Sequence, residues 1–227
     1  MSNLYWHFLA ADRRIELGDR ELVEAGKTYR ATGPLVMWKN GMHASKRAID
    51  ALGYAPGPVI CRVRLEAGTW TDAEGRKHDA PILFDRVVAC AIQQTVLWMA
   101  DATTRLHEFD LICAENALGQ YAAVGDEPDP RSWAVLEVKR RWIRGEASDA
   151  QLAVAAWAAG AAEAARAAEA ARAAEAARAA EAARAAWAAW AAEAAGAGDT
   201  VEAAGAAWRA IRETQNRILE MLLESLR

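Results

Sequence analysis

The sequence predicts an α+β fold: a small β-rich N-terminal domain, then an all-α region with a long Ala-rich helix and a C-terminal antiparallel helix. Three observations predict it. Residues 59–66 alternate, with Cys61, Val63 and Leu65 facing one way and Arg62, Arg64 and Glu66 the other, the period of a half-buried strand. Beyond Asp101 the period becomes helical, through Leu106, Phe109, Cys113 and Ala117. From Trp157 to Asp199 every third residue departs from alanine, around a nearly perfect repeat of Glu-Ala-Ala-Arg-Ala-Ala. These shifts divide the chain into a β-rich domain over 1–100, two connecting helices over 101–146 and an Ala-rich helical hairpin over 147–227.

Within the first part, Leu4–Leu9 is a predicted strand and Glu24-Ala25-Gly26-Lys27 a turn. Pro34–Trp38 reads as a second strand, and Lys39-Asn40-Gly41 turns the chain into Met42-His43-Ala44-Ser45. Ser45 is placed to cap a short helix running to about Leu52, which Pro56-Gly57-Pro58 ends. Asp72–Asp79 is a polar, hairpin-like loop, and Leu83–Ala91 and Thr95–Met99 complete the β-rich domain.

The helical part carries its own punctuation. Asp101 or Thr103 caps the first helix, and Gly125-Asp126-Glu127-Pro128 breaks it. Asp129-Pro130 reads as a cap followed by proline at the first helical position, opening a helix that Gly145 stops. Ser148 or Asp149 caps the Ala-rich helix, and Gly196 and Gly198 end it. Asp199 then caps a final helix with Val201, Ala204, Trp208, Ile211, Ile218 and Leu222 on an apolar seam that Gln215 interrupts.

A step of three residues turns an α-helix by about 300°, so the Glu/Arg line winds around the helix roughly once in 18 residues. The tract has no single polar face and does not match the 3.5-residue period of a coiled coil. An unbroken helix from Ser148 to Ala195 is expected to be on the order of 72 Å long. Two readings stand: a repeat tolerated because it stays helical, or a rigid spacer and packing surface. Trp187 and Trp190 favour contact, because two exposed tryptophans are costly. The final helix or another subunit is their expected cover, so Trp187, Trp190, Trp208, Ile211, Ile218 and Leu222 form the predicted interaction surface.

A formal charge of −4 and a pI near 5.7 give no electrostatic reason to expect nucleic-acid binding. Cys61, Cys90 and Cys113 form no Cys-x-x-Cys pair and read as buried thiols of a reducing compartment. The first residues lack the regions of a signal peptide, and no apolar run approaches a membrane span. The expected location is cytoplasmic, with no membrane partner. Gly26-Lys27-Thr28 is not a phosphate loop, because Glu21 stands where that pattern needs glycine. His7, His43, His78 and His107 lie at no metal-ligand spacing, so neither metal nor cofactor is expected. The most chemical-looking stretch is Gly41-Met42-His43-Ala44-Ser45, where a His and a Ser beside Trp38 are placed to line a pocket. The plainer reading, preferred here, is that His43 satisfies backbone groups in a turn while Ser45 caps the helix.

Glu24–Tyr29, Met37–Ser45, Ala51-Leu52-Gly53-Tyr54 and Val59–Leu65 together resemble an uncharacterised domain common in bacteriophage and bacterial genomes. Its members carry a Gly-x-His-Ala turn followed by a Val-rich strand. Many continue into Ala-, Arg- and Trp-rich helices ending in a segment like Gln215-Asn216-Arg217. The resemblance covers most of the chain and implies a phage or mobile-element setting, with no established activity. Pro128–Glu146 and the Ala-rich helices are similar to bacterial immunity proteins, which are helical and bind partner toxins. The order strand, Gly-x-His-Ala-Ser, short helix, strand also resembles ADP-ribosyltransferase-like folds, in which a first-strand His or Arg, a Ser or Tyr motif and a late Glu hold NAD. That likeness matches His7 and Ser45 to the first two roles, and no Glu within Leu83–Met99 fills the third. The candidate pocket is therefore His7, Trp38, His43 and Ser45. The expected function is a non-enzymatic interaction protein that binds a protein partner or itself, with the transferase and the immunity or counter-defence binder as alternatives.

Overall fold

A computed structural model describes residues 3–15, 21–123, 130–158 and 201–227. The chain forms two compact units, one of Met1–Ala102 with Leu223–Arg227 and one of Thr103–Leu222. The architecture is α+β, an antiparallel sheet followed by helices. The helix after residue 147 shares a core with the helices before it.

The first unit is built from β1 (Leu4–Leu9), β2 (Thr28–Arg30), β3 (Met42–Ser45), α1 (Ala48–Leu52), β4 (Val59–Glu66), β5 (Gly68–Thr71), β6 (Lys77–Ala80), β7 (Leu83–Asp85), β8 (Val88–Ala91) and β9 (Gln93–Asp101). Seven strands make one sheet in the order β2-β9-β4-β1-β3-β8-β7, and β5 and β6 make a separate hairpin. Only Ile92 separates β8 from β9, yet β8 pairs with β3 and β7 while β9 pairs with β4 and β2. One bent segment thus holds two positions in the strand order, and the sheet curls back on itself. Ile92, fully buried against Ala31 and Ala80, anchors the bend.

The curl encloses alternate residues of each strand. Tyr5 and Leu9 of β1, Met42 and Ala44 of β3, Cys61, Val63 and Leu65 of β4, and Val96 of β9 form one buried cluster. The alternation predicted for β4 is observed, with Arg64 exposed between two buried neighbours. On the other face Trp6, Arg62 and Trp98 stand in register across β1, β4 and β9. The two indoles meet edge to face at 5.9 Å, and the Arg62 guanidinium lies 4.3 Å over the Trp6 ring. Such contacts each contribute on the order of 1 kcal/mol beyond the area they bury. Helix α1 packs on β1 and β3 with all five residues buried.

Two expectations are corrected here. Pro34–Trp38 is a turn: Val36 and Asn40 exchange backbone hydrogen bonds, Trp38 sits at φ 66°, and the Asn40 amide donates to the carbonyls of Thr32 and Pro34. Apolar composition lost to side-chain bonding that rewards a closed turn. Ser45 does not cap α1. It lies in β3 opposite Trp6 and Val88, and the residue preceding the helix is Arg47, which makes no side-chain cap bond.

The second unit contains α2 (Thr103–Ala123), α3 (Pro130–Ile143), α4 (Asp149–Ala158) and α5 (Val201–Glu224, whose last two residues fall in the first unit). Leu111, Val135, Leu136, Leu152 and Ala156 form the core of α2, α3 and α4. Proline opens α3 as predicted. Gly145 at φ 74° closes it, with Glu146 N–H donating to Arg141 O and Gly145 N–H to Trp142 O, the paired bonds of a Schellman stop. Ser148 and Gln151 then exchange side-chain and backbone bonds of 3.3 and 2.8 Å, a capping box that starts α4. The break at Gly125–Pro128, the repeat beyond Ala158 and the cap at Asp199 lie outside the described residues.

Between α2 and α3 lies a buried polar cluster. Lys139 pairs with Asp110, both less than 10% exposed. His107, one turn before Asp110, meets the Trp142 ring edge to face at 4.8 Å, and neither ring nitrogen has a hydrogen-bond partner among the described residues. Burial, with the nearby Lys139 charge, holds the imidazole down at about 4 from its usual 6.5. Between those values the unfolded chain binds more protons than the folded one, so stability falls as pH is lowered through that window. The helical unit is expected to lose up to about 3 kcal/mol from His107 between pH 6.5 and 4. Urea melts followed by circular dichroism at both pH values check this, and His107→Leu is expected to flatten the difference.

Candidate functional site

The four candidate residues of the N-terminal domain converge. His7, Trp38, His43 and Ser45 all line one cleft of about 420 Å³. It opens where β1 and β3 part company, since these strands share the single register pair Trp6↔Ser45. Beyond it, the His7 ring hydrogen-bonds the backbone of His43. Burial pulls His7 down to about 4, more than that bond pulls it up. His7 is therefore neutral at physiological pH.

His43 is committed to the main chain on both sides. The backbone N–H of Trp38 donates to its Nε2 at 3.0 Å, and the ring also bonds the backbone of Gly41. An accepting Nε2 puts the ring proton on Nδ1, which donates to the Gly41 carbonyl. Burial lowers its affinity for a second proton. Ser45 stands two residues along the same strand, its backbone roughly 6.6 Å further on at 3.3 Å per residue, and is almost fully buried. A serine nucleophile needs a base with a free nitrogen in hydrogen-bond reach, and the Nε2 of this imidazole already accepts the Trp38 N–H.

Trp38 is held open. Its indole N–H donates to Asp85 at 2.9 Å, and its ring stacks on His43 at 5.9 Å and 15° and meets Tyr54 tilted, at 5.2 Å and 46°. Trp38 and Tyr54 remain 50% and 58% exposed, so an aromatic surface faces solvent in one fixed orientation. Gly41 permits the arrangement. At φ 140° it leaves no room for a Cβ, which would meet the Cys90 sulfur and the Leu35 side chain.

Sequence reasoning missed Tyr54, Asp85, Arg14, Lys39 and Gln94, all in or beside the cleft. Tyr54 carried a signal, its place in the Ala51–Tyr54 run. Asp85 carried none, because it reaches Trp38 from 47 residues away. Among the described residues no group of three His, Cys, Asp or Glu side chains is placed to hold a metal ion. All three cysteines are buried free thiols, and burial raises Cys61 to about 12 and Cys90 to about 11. No described helix is long and apolar enough to cross a membrane.

The predicted interaction surface fares differently. Trp187 and Trp190 lie outside the described residues. On α5 the buried line is Gln215, Asn216, Leu219 and Leu223, one position round from the predicted seam. Ile211, Ile218 and Leu222 flank it half-buried, and Trp208 is 37% exposed beneath the Arg212 guanidinium. Gln215, the polar residue of the predicted seam, sits on the buried line.

No protein-family model matches the chain, and no curated protein or solved structure matches it. Gly41→Ala is expected to destabilise the N-terminal unit by about 2 kcal/mol or more, the scale of strain and overpacking combined. Thermal melting of the full chain, followed by tryptophan fluorescence, measures that loss.

Proposed function

We propose that the chain is a non-enzymatic, phage- or mobile-element-associated interaction protein. The N-terminal domain recognises a protein partner through the Trp38–Tyr54 surface, and the Ala-rich helices serve as spacer or self-association surface. The setting rests on the resemblance carried by Met37–Ser45 and its neighbours. The recognition role rests on one observation: a tryptophan that is half exposed yet pinned by Asp85, His43 and Tyr54.

Tryptophan and tyrosine dominate the binding energy of protein interfaces, because they offer large area with few torsions to freeze. A ring already fixed in its bound orientation loses little further entropy on association. The chemistry around it favours binding over turnover. His43 is tied to the main chain, His7 is held neutral, and Ser45 is almost fully buried. The transferase alternative draws no comparable support from these groups.

The recognition half is tested by capture from bacterial lysate with the full chain and with Trp38→Ala. Wild type is expected to retain a stoichiometric partner that the variant loses at least tenfold, at unchanged melting temperature. Equal recovery by both proteins would end this reading. The self-association half is tested separately by light scattering, where a mass above 24.6 kDa at high concentration is expected. A strict monomer would remove that half and leave the other standing.

A further inference from the structure

We propose that the open edge of β7 takes an extended, acidic segment of the protein partner as an added strand, its acidic side chains over Phe84 and its apolar ones beside Trp38. This rests on the reading of the N-terminal domain as a partner-recognising module, and it names the form and charge of what is recognised.

The main chain of β7 is the first argument. β7 ends the strand order, and β8 is the only strand hydrogen-bonded to it. A two-residue turn with Arg86 at φ 43° joins them, so the closing pair Asp85↔Val88 exchanges main-chain bonds. Bonded and non-bonded pairs alternate along an antiparallel ladder, so the N–H and C=O of Phe84 face away from β8. Neither has a partner among the described residues. A row of unpaired main-chain groups is a template for another strand, and sheets usually guard it with charge or a covering element. Here the residue at its centre is a phenylalanine, 67% exposed.

Charge is the second argument. A groove of about 230 Å³ is lined by Phe84 and Val87 and by Lys46, Arg47 and Arg86, with Asp50 the one carboxylate among the lining residues. Asp50 is 6% exposed and already lies 3.9 Å from Arg47. Lys46 is seated over the Tyr5 ring, and Arg86 makes no ion pair among the described residues. Three cations against one carboxylate favour acidic groups on this face, in a chain whose net charge is −4.

Alternation supplies the third argument. Asp85 stands on the opposite face from Phe84, where its carboxylate holds the half-exposed Trp38. A strand laid about 4.8 Å beyond β7 sends successive side chains to the two faces in turn. One row meets Phe84 and the cations, and the other meets Trp38. A segment alternating acidic and apolar residues matches both rows, with the main-chain bonds supplied by Phe84. A docked helix would leave those bonds unmade.

Fluorescence anisotropy on the full chain at low salt tests the assignment with a labelled ten-residue peptide alternating glutamate and valine. It is expected to bind at submillimolar concentration, and a lysine–valine peptide at least tenfold more weakly. Residues opposite Phe84 share its face, so the glutamates carry the N–H groups that meet the edge. N-methylation of the glutamates is expected to cost at least tenfold and N-methylation of the valines little. Phe84→Pro removes the outward N–H without touching the ladder to β8, and it is expected to abolish binding at unchanged melting temperature. Arg86→Asp, a residue that tolerates positive φ, is expected to weaken binding at least threefold, a difference that high salt removes. No binding at millimolar concentration overturns the assignment, as does equal binding by the lysine peptide or by the two methylated forms. A doubled mass in light scattering that Phe84→Pro abolishes, with no peptide bound, overturns it in favour of a second copy pairing β7 with β7. These failures are separate from failure of partner recognition, which is scored by lysate capture and Trp38→Ala.

Discussion

The imidazole of His43 is the interaction on which the first unit's surface depends. By accepting the Trp38 N–H and bonding the Gly41 backbone, it replaces main-chain partners that a turn at this position lacks. That bond, with the Val36–Asn40 backbone pair, fixes the course of the chain from Trp38 to Gly41. That path sets Trp38 at positive φ, aims its indole at Asp85 and brings Gly41 against Cys90. The exposed aromatic pair follows from a histidine whose Nε2 is held by the main chain.

The cleft behind that pair has a topological origin. Because β8 and β9 are one bent segment, the sheet curls back, and the curl is least complete between β1 and β3. The gap is lined by residues that face the interior, which is why Gln94 and His7 border it beside apolar neighbours. The second unit handles its polar groups differently. Lys139 and Asp110 neutralise each other in a buried pair, and His107 stays uncharged against Trp142. Breaking such a pair by removing one partner costs more than the pair itself contributes, so it constrains which surfaces of α2 and α3 can meet.

Much of the local structure was legible in the residues. β1, β4, the start of α3, its stop at Gly145 and the cap at Ser148 stand where the periods and caps placed them. Four cleft residues were legible as candidates, and Gly41 marked the turn that presents them. The failures share a cause. Pro34–Trp38 looked like a strand because its apolar residues are a turn's aromatic display, and Ser45 looked like a cap because a helix follows it closely. On α5 the most buried positions include Gln215 and Asn216, polar residues whose burial a period of apolar residues does not record.

What the sequence determined by itself is whatever rests on bonds between near neighbours: the alternation of β4, the capping box of Ser148 and Gln151, the Schellman stop at Gly145. Those bonds span a few residues, so the order of side chains is enough to specify them. Only the tertiary structure decided which strands are neighbours, that Ile92 bends one strand into two positions, and that Asp85 holds Trp38. Each of these joins segments far apart in the chain. Their closure depends on the burial that the whole sheet achieves together, and no local period records it.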